Sequence, residues 1–233
     1  TPRPGIDRVQ AVVFAGNHGV AAQGVSAFPV EVTAQMVTNF QAGGAAINAL
    51  CRAAGADLSV VPLDLDRPTG DISREAAMSE AECLAALNAG AAAVSADTHL
   101  LLVGEMGIGN TTPASALCAA AFGGEAALWC GKGSGIDSEG VARKVMAVEQ
   151  ALALHLPNCS DAFEALRRLG GREIAAMAGA ILAARMMRIP VLLDGFIACA
   201  SIAPLVARVP DFAAHCLAAH CSAEAGHVRL LGH

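Results

Sequence analysis

Four places in this 233-residue chain put glycine and polar side chains directly behind a short apolar run, and a fifth puts a carboxylate among small residues. In open α/β sheets ligands bind outside the carboxyl ends of the strands, so chemistry collects at such junctions. The first junction, Val12-Val13-Phe14-Ala15-Gly16-Asn17-His18-Gly19, runs on into Gly24-Val25-Ser26-Ala27-Phe28-Pro29. Its glycines permit a sharp turn, and Asn17, His18 and Ser26 offer directional hydrogen bonds; a plain turn bonded to itself is the equal alternative. The second, Leu100-Leu101-Leu102-Val103-Gly104-Glu105-Met106-Gly107-Ile108-Gly109-Asn110-Thr111-Thr112, brings amides and hydroxyls toward the positive end of a helix, as a phosphate cradle does. Glu105 would repel a phosphate, so it is expected to meet sugar hydroxyls or developing positive charge. The third, Trp129-Cys130-Gly131-Lys132-Gly133-Ser134-Gly135, is followed by Lys144; either lysine could neutralise an anion, although solvated surface lysines are commoner. The fourth, Val191-Leu192-Leu193-Asp194-Gly195, ends a buried strand in an acid or a helix cap. In Ala219-His220-Cys221-Ser222-Ala223-Glu224-Ala225-Gly226-His227, reduced solvation would raise the pKa of Glu224 and make it a usable general base, but Ser222 to Glu224 can equally open a helix.

Short apolar runs alternate with longer amphipathic windows, the pattern of βαβ units and a mostly parallel sheet. The runs predict strands near Val9 to Ala15, Leu58 to Leu63, His99 to Val103, Ala126 to Cys130, Pro190 to Leu193 and Cys216 to His220. Helices are expected over Glu31 to Ala53, Ser79 to Ala96, Thr112 to Ala121, Ser138 to Leu154 and Arg172 to Met187. The Pro-, Asp- and Arg-rich stretch Asp64 to Ser79 reads as a surface loop, and no repeat or linker divides the chain, so one α/β domain over residues 1–233 is expected.

A composition that is 55% hydrophobic and 15% charged, with mean hydropathy +0.51, builds a core and excludes extensive disorder. The formal charge is -6 and the basic residues are scattered, which excludes nucleic acid as a partner. No apolar stretch reaches the ~20 residues of a membrane span. Ile174 to Ala184 is closed by Glu173 and Arg185, and Ile189 to Ala207 is broken by Pro190, Asp194 and Pro204. The start, Thr1-Pro2-Arg3-Pro4, has no signal-peptide core. The eight cysteines form no CxxC pair and fit reduced thiols in the cytoplasm. The His215, Cys216, His220, Cys221 cluster lacks the paired spacing of structural zinc, so no metal is expected.

Together FAGNHGVAAQGVSAFPVEVTAQMV, GEMGIGNTTPASAL, GKGSGIDSEGVARK, GGREIAAMAGAILAARMMRIPVLLDGF and HCSAEAGH, in this order and over nearly all of the chain, resemble the nicotinate-nucleotide:5,6-dimethylbenzimidazole phosphoribosyltransferases of cobalamin biosynthesis. The resemblance implies a doubly wound, Rossmann-like α/β fold with helices on both faces of a mostly parallel sheet. It also implies a homodimer and a phosphoribosyl transfer from nicotinate mononucleotide to a benzimidazole, without metal or cofactor. It puts the base at Glu224, a second functional carboxylate at Glu105 and a functional lysine at Lys144. The acceptor is expected near Ser26, Phe28 and Gln35, the phosphate near Gly107, Gly109, Asn110 and Thr111, and further substrate contacts at Asp194 and Ser222. The chain departs from the family pattern at Asn17, where Asp is common, and at Lys132, where Arg is usual. Family chains also begin with further helices and continue past the final GH, so the small-domain elements are expected to be incomplete. The alternative is a catalytically impaired nucleotide- or base-binding homologue. A transferase using a pyrophosphorylated sugar would need an adjacent acidic pair, and the chain has none.

Overall fold

Short runs rich in Val, Leu and Ala pair into a parallel sheet in the computed structural model, which describes residues 5–133 and 135–233. The opening tetrapeptide and Ser134 lie outside the described residues. Val9–Ala15 (β1), Ala56–Pro62 (β2), Leu100–Met106 (β3), Val191–Leu193 (β4) and Cys216–Ala218 (β5) pair in the order β2-β1-β3-β4-β5, every pair parallel. Parallel neighbours require crossovers, and helices supply them. Glu31–Gln41 (α1) and Ala46–Ala54 (α2) lead from β1 to β2, and Glu80–Ala92 (α3) leads from β2 to β3. Thr111–Phe122 (α4), Ser138–His155 (α5), Ala162–Leu169 (α6) and Arg172–Met187 (α7) lead to β4. Gly195–Ser201 (α8) and Ala203–Val206 (α9) lead to β5, after which comes Ala225–Leu230 (α10).

Alternation along β1 sends Val12 and Phe14 to one face and Ala11 and Val13 to the other. The first pair joins Leu101 and Val103 of β3 in the core, against which α7 and α8 pack. On the second face Phe40 of α1 and Ile47 of α2 lie beside Ala11, Val13 and Leu102. The fold is therefore doubly wound, with helices on both faces. Across the matched row Ala11, Leu102, Leu192, Leu217 this second cover thins, and Leu217 is 68% exposed.

Helix α7 is buried along almost its whole length because alanine and glycine let its neighbours approach. At its crossing with α3, a Cβ on Gly90 would strike the Ala176 carbonyl, and one on Gly179 would strike the Leu87 carbonyl. At the start of α3, Ser79 Oγ accepts the Glu82 amide at 3.2 Å while the Glu82 carboxylate accepts the Ser79 amide at 2.9 Å, a reciprocal cap.

Two expected elements differ. The helix over Glu31 to Ala53 is broken, because Gly43 takes φ +76° and the Gly44 backbone closes on the Asn39 side chain. The strand over Ala126 to Cys130 is instead a 3-10 turn at Ala126–Leu128. There the buried Trp129 donates its indole N–H to the Gly123 carbonyl at 2.9 Å, and Ser115 Oγ donates to the Trp129 carbonyl at 2.9 Å. Those local bonds fold the segment back on α4 and occupy groups that a ladder would need. The stretch Asp64 to Ser79 is irregular as expected, yet it buries Ile72 and Met78 in the core.

Candidate active site

Strand order reverses between β1 and β3, and the loops leaving their carboxyl ends bound a crevice. The register pairs Phe14 with Glu105 and Ala15 with Met106, and the Gly16 amide donates to the Met106 carbonyl at 3.0 Å. The two loops thus leave the sheet side by side. The first is stitched to the segment beyond β2: Asn17 Nδ2 donates to the Leu65 carbonyl at 2.9 Å, and the Gly19 amide to the Thr69 carbonyl at 3.0 Å. Asn17 is buried, and its side chain bonds not its own turn but the Leu65 carbonyl of the next connection, so its role there is to tie two loops together.

Below the loops His18 Nε2 stands 2.6 Å from Glu173 Oε1, with side chains 1% and 0% exposed. A Cβ at position 107 would lie 2.9 Å from Glu173 Oε1 and 3.0 Å from Asn110 Nδ2, so the approach of this carboxylate requires Gly107. Above them Asn110 Nδ2 donates to Glu105 Oε2. Removal from water pushes the Glu105 carboxyl up to about 7, and the Glu173 charge pushes the same way against the Asn110 hydrogen bond and His18.

Gly109, at φ +87°, turns the second loop into α4. The Ile108 amide donates to the buried Thr33 Oγ1 of α1 at 3.3 Å, which fixes the loop to the first crossover. Lys144 of α5, which a sequence reading leaves open to solvent, is 1% exposed. Its Nζ donates to Thr111 Oγ1 at 3.0 Å and to the Gly131 carbonyl at 2.9 Å. An ammonium has three protons, so one remains for a ligand at the amino end of α4. Burial pulls its pKa down, against the Cys130 and Glu224 side chains.

These groups surround a cavity of about 540 Å³. Of the expected site residues, Ser26, Phe28, Glu105, Gly107, Gly109, Asn110, Thr111 and Lys144 are brought together in its lining, and Val25, Val32, Met36 and Ile197 complete an apolar wall. Its volume lies within the ~300–1,000 Å³ usual for small-molecule sites.

The remaining predicted residues lie outside that lining. Glu224 is half-buried one layer behind it, its Oε1 accepting the Gly133 amide at 2.6 Å and its other oxygen against Gly131. The same glycine loop therefore ties Glu224 to Lys144. Ser222 Oγ stands 2.9 Å from His227 Nδ1. Gln35 is exposed on α1, and Asp194 is exposed at the end of β4, its carboxylate 3.5 Å from His220 Nδ1 and making no side-chain cap to α8. Glu173 was missed because it reads as the polar boundary of an apolar helix; its signal is a carboxylate opening a run too apolar to leave it in water. Thr33 and Met36 carry no signal apart from their place on the inner face of α1. Among the described residues no group of three or more His, Cys, Asp or Glu side chains is placed to hold a metal ion. No described helix is long and apolar enough to cross a membrane.

A family model described as phosphoribosyltransferase matches residues 1–233. A relative in Novosphingobium aromaticivorans, named nicotinate-nucleotide–dimethylbenzimidazole phosphoribosyltransferase, is 63% identical over 233 residues, 100% of this chain and 69% of its own length. One of the same name in Mesorhizobium japonicum is 58% identical over 228 residues, 98% of this chain and 68% of its own. The crystal structure of CobT from Thermus thermophilus superposes with a TM-score of 0.90 at 37% identity, covering 99% of this chain and 74% of that one.

Proposed function

The chain belongs to the nicotinate-nucleotide–dimethylbenzimidazole phosphoribosyltransferase family, and from that premise we infer the reaction its cavity serves. It transfers phosphoribosyl from nicotinate mononucleotide to 5,6-dimethylbenzimidazole, giving α-ribazole 5′-phosphate and nicotinate, a step of cobalamin biosynthesis. The observation that carries the reading is the division of one cavity into an apolar wall of Val25, Phe28, Val32 and Met36 and a polar end of Gly107 to Thr111 with Lys144. A flat heterocycle suits the first, and a phosphate suits the second. Glu105, which lines the same cavity and accepts from Asn110 of the polar end, suits ribose and its developing positive charge.

In this reading one benzimidazole nitrogen attacks the anomeric carbon as the other gives up its proton to Glu224. The bond from that carbon to the nicotinate nitrogen breaks, its electron pair neutralising the cationic ring, and configuration inverts. A benzimidazole N–H is too weakly acidic to ionise first, so proton loss accompanies bond formation. Much of the acceleration then comes from alignment of the two reactants. Glu224 stands outside the cavity lining with its carboxylate on the Gly133 amide, so in this reading it must leave that amide and turn into the cavity to meet the acceptor N–H. The protein acts as a homodimer of one α/β domain in the cytoplasm.

Release of nicotinate from nicotinate mononucleotide, with and without dimethylbenzimidazole, tests the reaction. Acceptor-dependent release is expected; retained binding of both ligands without turnover would instead give the impaired homologue. Glu224→Gln should lower kcat by about 10²- to 10⁴-fold and leave nucleotide binding nearly unchanged, and unaltered turnover would remove it as the base.

A further inference from the structure

His227 is buried to 0% exposure, and no step above uses it. Its Nδ1 receives the Ser222 amide at 3.1 Å. A backbone amide can only donate, so Nδ1 carries the lone pair and the neutral ring holds its proton on Nε2. That nitrogen faces Cys199 Sγ at 3.5 Å, a weak but compatible acceptor. Ser222 Oγ, 2.9 Å from Nδ1, must then donate to it, and the hydroxyl's own lone pair faces the Glu224 amide at 3.4 Å. The backbone closes the circuit: the His227 amide donates to the Glu224 carbonyl at 2.9 Å. One residue thus grips the Ser222 end of the turn through its ring and the Glu224 end through its main chain.

The ring is itself held from three sides. Phe196 of α8 lies 6.2 Å away between ring centroids, His220 packs edge-on at 5.8 Å, and Cys199 closes the far nitrogen. Glycine is required beside it, because a Cβ on Gly226 would meet the Trp129 carbonyl at 2.5 Å. The end of the turn is therefore seated against the segment that leads into Gly131 to Gly133, the loop that the Glu224 carboxylate grips.

We propose that His227 is a positioning residue that acts through Ser222 to aim the Glu224 carboxylate. The proposal rests on the reading of Glu224 as the base. Loss of the acceptor at Nδ1 frees the Ser222 amide and hydroxyl together, and the turn that carries Glu224 loses its anchor while cavity residues 105–111 keep theirs. The reaction should lose rate without losing nucleotide.

Steady-state kinetics of the purified protein and five variants test this. His227→Leu is expected to lower kcat by about 100-fold, the scale of an ångström's misplacement, with the KM for nicotinate mononucleotide within about threefold of the parent. His227→Asn, whose side-chain oxygen reaches the place of Nδ1, should recover most of that loss. Ser222→Ala should fall in the same direction as His227→Leu, and it leaves the core untouched if the buried leucine fails to fold. Combined with Glu224→Gln, His227→Leu should add almost nothing, because it acts through that carboxylate. Full multiplication of the two losses, equal loss in the Asn and Leu variants, or normal kcat in Ser222→Ala would overturn the proposal. Normal turnover in Glu224→Gln would instead overturn the reading of the base, a result legible from that single variant.

Discussion

Replacing Glu105 with glutamine should erase a pH dependence of stability. Burial first, and the Glu173 charge second, move this carboxyl from the ordinary 4.5 to about 7 in the folded protein. At ~1.4 kcal/mol per pH unit the displacement corresponds to about 3 kcal/mol. Between those two values the folded protein holds a proton that the unfolded chain has released. The contribution is therefore complete below 4.5, declines as pH rises, and is exhausted above about 7. Glu105→Gln cannot ionise and loses this slope, while its amide still fills the space beside Asn110. Urea unfolding of both proteins at several values between about pH 5 and pH 8 reads the difference. The unfolding free energy of the variant relative to the parent should rise by about 2–3 kcal/mol across that interval. Parallel curves would refute the reasoning and make Glu105 an ordinary solvated acid.

Lys144→Met keeps the length of a buried side chain but removes the proton donor to Thr111 and Gly131. The KM for nicotinate mononucleotide should rise about 10- to 100-fold, the worth of a hydrogen bond to a charged group, and an unchanged KM would place the phosphate elsewhere. Asn110→Ala with Thr111→Ala should weaken nucleotide binding by at least about tenfold in calorimetry; a fall in melting temperature with binding intact would make the loop purely structural. Gly179→Ala forces a methyl group against the Leu87 carbonyl and should cost about 1–3 kcal/mol in denaturant unfolding, and full stability would show that the crossing has slack.

Much of this arrangement was legible because parallel strands buried on both faces leave uninterrupted apolar runs, and Val9–Ala15 was read to the residue. Where side-chain hydrogen bonding overrides propensity, legibility ended. Ala126 to Cys130 has the composition of a strand, but the indole of Trp129 and the hydroxyl of Ser115 fold it into a turn. The apolar stripe of α1 and α2 continues across Gly43 and Gly44, so periodicity alone joined two helices. In the site, the glycines and threonines between Val103 and Pro113 marked a possible phosphate cradle, the family resemblance narrowed it to Gly107, Gly109, Asn110 and Thr111, and the structure places these four in the cavity lining. Glu173 and His18 left none as a pair: they are 155 residues apart, and only the fold brings them to 2.6 Å. For the same reason Lys144 looked like a surface lysine until the Gly131 carbonyl was seen to cover it.

The meeting of α3 and α7 bears on how the cavity moves. Carbonyls lodged over Gly90 and Gly179 forbid either helix to slide along the other. Glu173, six residues before Gly179 and so ~9 Å along the helix axis, inherits that fixed register. The carboxylate beneath the Gly107 loop is therefore expected to have little freedom to shift along the axis of α7. Breathing that admits a substrate is expected instead at the rim formed by Ser26 to Phe28, where Ala27 and Phe28 are exposed.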